Sequence, residues 1–92
     1  MPIMKVEIVT PEATVYTGEA VRVSVPGGKA PFTMLHQHQA IVSTLRPGIV
    51  RLAHADGSES RFGLVGEGLV EQHDDAVTIL AQQAHPITHA AR

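Results

Sequence analysis

Val50-Arg51-Leu52-Ala53-His54-Ala55-Asp56-Gly57-Ser58-Glu59-Ser60-Arg61-Phe62-Gly63-Leu64 is the stretch that decides the fold. Val50 and Leu52 alternate with Arg51, and Phe62 and Leu64 alternate with Arg61 and Gly63. Successive side chains of a strand point to opposite faces, so each half presents one apolar and one polar face. Asp56-Gly57 between the halves is the sharpest hairpin cue in the chain, because a tight primed turn needs positive φ. Two half-buried strands joined by such a turn predict an antiparallel sheet with one wet face.

The same pattern extends in both directions. Val21, Val23 and Val25 alternate with Arg22 and Ser24, and Val77 and Ile79 flank Thr78. Val, Ile and Thr are plentiful and suit a pleated surface. Turn signals fall between the runs: Thr17-Gly18 between the first two extended segments, Pro26-Gly27-Gly28 after the second, Pro47-Gly48 before the run from Ile49, and a weaker Asp74-Asp75 before Val77. Short strands at this spacing predict a sandwich or barrel. Residues 40–45 have room for a turn of helix at most, since Pro47 and Gly48 stop it. After residue 84 the chain reads as a short polar tail, 85–92, beyond a single domain over 1–84.

A chain of 92 residues makes one domain, and its 43% hydrophobic content is enough for a small core. The net charge of −2 argues against an electrostatic grip on nucleic acid, which needs a basic face. The absence of cysteine removes disulfides, thiolate metal sites and cysteine nucleophiles together. No apolar run approaches the ~18 residues of a membrane span, and the first residues lack the apolar stretch of a signal peptide. A cytosolic, soluble and monomeric domain is expected, reaching a membrane only through a protein partner.

Six histidines are the one hint of chemistry. His36 and His38 form an H-x-H pair that would share a strand face and could reach one metal, with His54 or His73 as a third ligand. A small metal-binding β-barrel is therefore one reading, although no acid follows before Asp56. The serines Ser24, Ser43, Ser58 and Ser60 lack a nucleophile elbow. Gly63, Gly66 and Gly68 spell a dinucleotide fingerprint backwards with no helix after it, and glycines in a strand more often mark a bulge. Asp74-Asp75 sits in a turn, and Glu67 and Glu71 have no buried partner to tune them. No cofactor site is expected. One Tyr, two Phe and no Trp leave no aromatic platform for sugars. Phe32, Met34, Leu35, Ile41, Val42 and Leu45 crowd residues 32–45, more than a small core can take. Those left on the surface would form an apolar patch for a partner.

An ordered set of segments then becomes recognisable. Lys5-Val6-Glu7-Ile8-Val9-Thr10-Pro11-Glu12 with Val15-Tyr16-Thr17-Gly18-Glu19 opens it. Phe32-Thr33-Met34-Leu35, His38 and Leu45-Arg46-Pro47-Gly48-Ile49-Val50-Arg51 follow. Val65-Gly66-Glu67-Gly68-Leu69-Val70-Glu71 with Val77-Thr78-Ile79-Leu80-Ala81 closes it. Over about residues 3–84 the chain resembles the N-terminal β-sandwich of the epsilon subunit of F-type ATP synthases (delta in mitochondria).

The resemblance implies an all-β, ten-stranded sandwich of two sheets, in a non-catalytic central-stalk subunit on the cytoplasmic face of the bacterial inner membrane. It implies contact with the gamma subunit through Thr10 and through His38, Ala40, Ile41, Val42 and Ser43. It implies contact with the c-subunit ring through Gly28, Lys29, Ala30 and Pro31, so that proton transport is coupled to ATP synthesis. Three departures from the family pattern stand out. His36-Gln37 replaces the Pro-Gly before His38, and Ala40 replaces a proline. The usually acidic c-ring loop carries Lys29 instead, which calls for an acidic partner loop. The sequence stops at Arg92, without the family's C-terminal helical hairpin, so the hairpin's inhibition of ATP hydrolysis is expected to be absent.

Overall fold

The computed structural model describes residues 3–36 and 40–87. All regular structure among them is extended. The strands are β1 (Met4–Val9), β2 (Thr14–Ala20), β3 (Arg22–Val25), β4 (Phe32–Met34), β5 (Ile41–Leu45), β6 (Gly48–Ala53), β7 (Glu59–His73) and β8 (Ala76–Ile87).

The two longest strands build both layers of the sandwich. Residues 68–73 of β7 pair with β5 on one side and with the start of β8 on the other, and β8 pairs parallel to β1, which pairs with β2. This gives a first layer in the order β2-β1-β8-β7-β5. Residues 59–65 of β7 pair instead with β6 and with the end of β8, and β6 leads through β3 to β4. Between these halves the β7–β8 register shifts at Val65/Gly68, so that Gly66 and Glu67 face Gln82 alone. Such a bulge bends the strand and increases its twist. Gly66 has φ +79° there, a backbone region that side-chain-bearing residues rarely adopt.

Among the described residues eight continuous strands are therefore present where ten were expected. β7 and β8 each cross the bulge without a break, and counting their halves separately accounts for the other two. The glycines that mimic a reversed nucleotide fingerprint serve this bend.

The alternation read from the sequence lines the core. Met4, Val6, Ile8, Val70, Val77 and Ile79 of the first layer meet Val23, Val25, Val50, Leu52, Phe62 and Leu64 of the second in one buried cluster. Each such side chain, fully buried, contributes roughly 1.5–3 kcal/mol. Tyr16 closes one side against Phe62, with ring centroids 5.1 Å apart and planes tilted by 57°. Burial, with Glu19 nearby, raises the Tyr16 phenol above its ordinary pKa.

Several local expectations change. Residues 40–45 are not helical: Ile41–Leu45 is strand β5, because Ile41, Val42 and Thr44 are β-branched and β7 offers them a ladder. Thr17-Gly18 lies inside β2, and the β1–β2 turn comes earlier, at Thr10-Pro11-Glu12-Ala13. The hairpin at Asp56-Gly57 forms, but as a three-residue loop closed by His54 N–H donating to Ser58 O at 2.9 Å. Only Gly57 has positive φ there, at 92°, so the turn is not of the primed type. The tight two-residue turn is instead Asp74-Asp75, between paired His73 and Ala76, with Asp74 at φ 56°. β8 also continues through His85, Pro86 and Ile87, whose partners on β7 are Gly63, Phe62 and Arg61.

Candidate functional site

The two segments expected to meet gamma border the same face. Thr10 directly follows β1, and Ile41, Val42 and Ser43 belong to β5, at the edge of the same layer. Thr10 fixes its own turn: its N–H donates to Ala13 O at 2.9 Å, its hydroxyl to the same oxygen at 3.1 Å, and the Ala13 N–H returns to Thr10 Oγ1 at 3.3 Å.

Between these margins the outer face of the layer is not uniformly polar. Val9 is paired with Leu80, Leu80 with Leu69, and Leu69 with Thr44. Their neighbours Ile8, Ile79, Val70 and Leu45 are buried, so this row points outward. Leu80 is 44% exposed. The next row runs Glu7, Thr78, Glu71 and Val42, ending on a valine that is 66% exposed. Towards β2 the same face holds an open hollow of about 460 Å³ lined by Lys5, Glu7, Thr17, Glu19 and Thr78 among others.

The apolar surplus of residues 32–45 divides. Met34 and Leu45 are fully buried, Phe32 and Ile41 pack half-buried against the core, and Leu35 and Val42 remain exposed. Among the expected gamma-contact residues, Val42 and Ala40 are exposed and Ile41 turns toward the core. Ser43 is half-buried and its hydroxyl donates to Thr44 O at 3.0 Å. His38 lies outside the described residues. The sequence signal for Leu80 is an apolar residue at an outward position between Ile79 and Ala81, both buried.

The 28–31 segment forms the β3–β4 turn and abuts the far end of β5. Gly28 N–H donates to Thr44 O at 2.9 Å, and Arg46 N–H to Pro26 O at 2.8 Å. Lys29, Ala30 and Pro31 are exposed. The two candidate contact regions thus adjoin at Thr44.

Among the described residues the histidines do not gather. Both His54 ring nitrogens are bonded, Nδ1 to Glu19 O at 2.9 Å and Nε2 to Ser60 Oγ at 2.7 Å. A carbonyl can only accept, so Nδ1 carries a proton and donates, while Nε2 shares a hydrogen bond with the serine hydroxyl. His54 thereby ties the β6–β7 hairpin to β2. His73 lies 3.5 Å from Asp74 at the opposite turn. Among the described residues no three His, Cys, Asp or Glu side chains could hold a metal ion together. Nothing brought together here favours the metal-binding reading of His36 and His38.

Such a body is a β-sandwich domain with a half-apolar outer face and an exposed loop tip beside it. The sequence matches the family described as ATP synthase, Delta/Epsilon chain, beta-sandwich domain, over residues 3–87. The chain belongs to that family. It is 34% identical over 83 residues to the ATP synthase epsilon chain of Paracoccus denitrificans, covering 90% of this chain and 55% of that one. It is 38% identical over 81 residues to ATP synthase epsilon chain 2 of Burkholderia orbicola, covering 88% and 53%. The chain thus spans little more than half the length of these relatives. A chain in the cryo-EM structure of Euglena gracilis mitochondrial ATP synthase, OSCP/F1/c-ring, shares the fold with a TM-score of 0.84 at 16% identity, over 94% of this chain and 54% of that one.

Proposed function

We propose that this domain is a non-catalytic rotor piece of a proton-translocating F-type ATP synthase. It joins the gamma subunit to the c ring in the central stalk and so couples proton transport to ATP synthesis. It works at the cytoplasmic face of a bacterial inner membrane, held there by the complex. The observation that carries this reading is the shared face: Thr10 and β5, expected separately as gamma contacts, border one outer surface with an exposed apolar row. Burying that row against gamma gives attachment without chemistry. The 28–31 turn adjoins the face through Thr44, so one stiff body can grip gamma and reach the ring at once. The supporting relatives carry the epsilon-chain name at about a third identity.

Reconstitution tests it. Proteoliposomes assembled without the chain are expected to lose proton-driven ATP synthesis, and re-addition restores it. Unchanged synthesis in its absence overturns the reading.

A further inference from the structure

We propose that Arg46 joins Lys29 in a two-cation receiver, built to take a carboxylate-bearing loop from the partner that meets the 28–31 turn. The inference rests on the c-ring reading of that turn, with the acidic partner loop that Lys29 calls for, and goes beyond it by adding a second contact residue on another turn.

Lys29 and Arg46 are far apart in sequence but line the same two adjoining hollows. One, of about 440 Å³, is walled by Pro26, Gly27, Ala30, Pro31 and Pro47 together with the two cations. The other, of about 410 Å³, adds Gly28, Thr44, Leu45 and Glu67. No acid lines the first hollow. Neither cation has an ion-pair partner among the described residues, where the charged contacts are Arg61 with Glu59 and His73 with Asp74.

Main-chain bonds hold the two cationic turns together. Arg46 N–H donates to Pro26 O, Gly28 N–H donates to Thr44 O, and Gly27 bridges antiparallel to Leu45. The prolines restrict φ in the walls between them. The receiver is therefore preorganised, and a partner loses less freedom on entering it. Two cations lining one concavity repel each other; Glu67 offsets this only in the second hollow, and a carboxylate entering the first relieves the repulsion while accepting hydrogen bonds from both. A basic loop would add to the repulsion. An acidic polar loop is the occupant that the charge fits.

The full chain is titrated with detergent-solubilised c ring and, separately, with gamma. The variants are Lys29→Glu, Arg46→Glu, Arg46→Gln and the double charge reversal, with melting curves to verify folding. Each charge reversal is expected to weaken ring binding about threefold to tenfold, and the double reversal by more than tenfold. Arg46→Gln weakens it less than Arg46→Glu, and gamma affinity stays within about twofold. A ring whose loop Asp and Glu are changed to Asn and Gln binds the parent chain as weakly as the native ring binds the double variant. If Lys29→Glu weakens ring binding and Arg46→Glu does not, the role of Arg46 falls while the c-ring reading of the turn stands. If neither matters, both fall. Full binding by the neutralised ring overturns the acidic partner.

Discussion

Gln72 is buried to 0% exposure in an otherwise apolar core, and its amide explains why it is tolerated. Nε2–H donates to Leu35 O at 2.8 Å and lies 3.6 Å from Met4 Sδ. Gln72 is also paired across the ladder with Ile41, so one residue secures the end of β4 and the start of β5. Gln72→Ala removes the bond and leaves a cavity, and urea unfolding is expected to show a loss of about 2–4 kcal/mol. Gln72→Met keeps the volume and loses the amide's polar contacts, for a smaller cost of about 1–2 kcal/mol. Unchanged stability in Gln72→Met would contradict the role given to the amide. Asp56 belongs to the same scale. Its Oδ1 accepts from the Ser58 hydroxyl at 2.6 Å and from the Ser58 N–H at 2.9 Å, and these bonds hold the carboxyl below its ordinary pKa. The native state thus favours the ionised form. The stabilisation is present above the unfolded pKa of about 3.9 and is lost as pH falls through the lower folded value. In an NMR titration, Ser58→Ala moves the Asp56 midpoint upward, and an unmoved midpoint refutes the assignment.

At the scale of elements the alternation was nearly sufficient and the turns were not. Val23, Val25, Val50, Leu52, Phe62, Leu64, Val77 and Ile79 all lie where period two puts them, since only burial on one face satisfies that spacing. Turn types depend on φ at single residues, and Asp-Gly suits a primed turn or a three-residue loop alike. Residues 40–45 leave room for a turn of helix because so short a run, with Ile41, Val42 and Leu45 around polar Ser43 and Thr44, has no period long enough to separate helix from strand, and β7 decides it from a distance. The strand count turned on the bulge, a feature that glycine spacing signals without dating which strands it joins. That bulge carries a prediction. A Cβ on Gly68 would lie 2.4 Å from Leu80 O, a backbone atom in the neighbouring strand that cannot swing aside. One on Gly57 meets nothing within 4 Å and is penalised only by its φ of +92°. Gly57→Ala is expected to cost about 1–2 kcal/mol, and Gly68→Ala about 2–4 kcal/mol, because it forces β7 and β8 apart. Denaturant melts that reverse this order would remove the bend from the account of the fold.

Across the whole molecule, the candidate contacts were legible in part. Lys29 was visible from its loop, whereas Arg46 becomes its neighbour only where the β3–β4 turn meets the end of β5. Thr10 and Val42 were visible singly, but their common face depends on the order β1-β8-β7-β5, which no local pattern encodes. The exposed apolar residues let that face be tested against an internal control. Leu80 is 44% exposed on the first layer, between the two expected gamma margins. Ile49 is 41% exposed on the second layer, where it is paired with Gly63. Their exposures are similar, so a glutamate at either position disturbs the fold about equally and leaves the melting temperature nearly unchanged. Burying the still exposed part of such a side chain gives up to about half of roughly 1.5–3 kcal/mol, and forcing an unpaired carboxylate into the interface costs several kcal/mol more, which together correspond to a tenfold or greater change in affinity. Leu80→Glu is therefore expected to weaken gamma binding at least about tenfold and Ile49→Glu less than about twofold, measured by titrating each folded variant with purified gamma. If Ile49→Glu is the damaging change, gamma docks on the second layer, and Thr10 and Val42 lose their roles together.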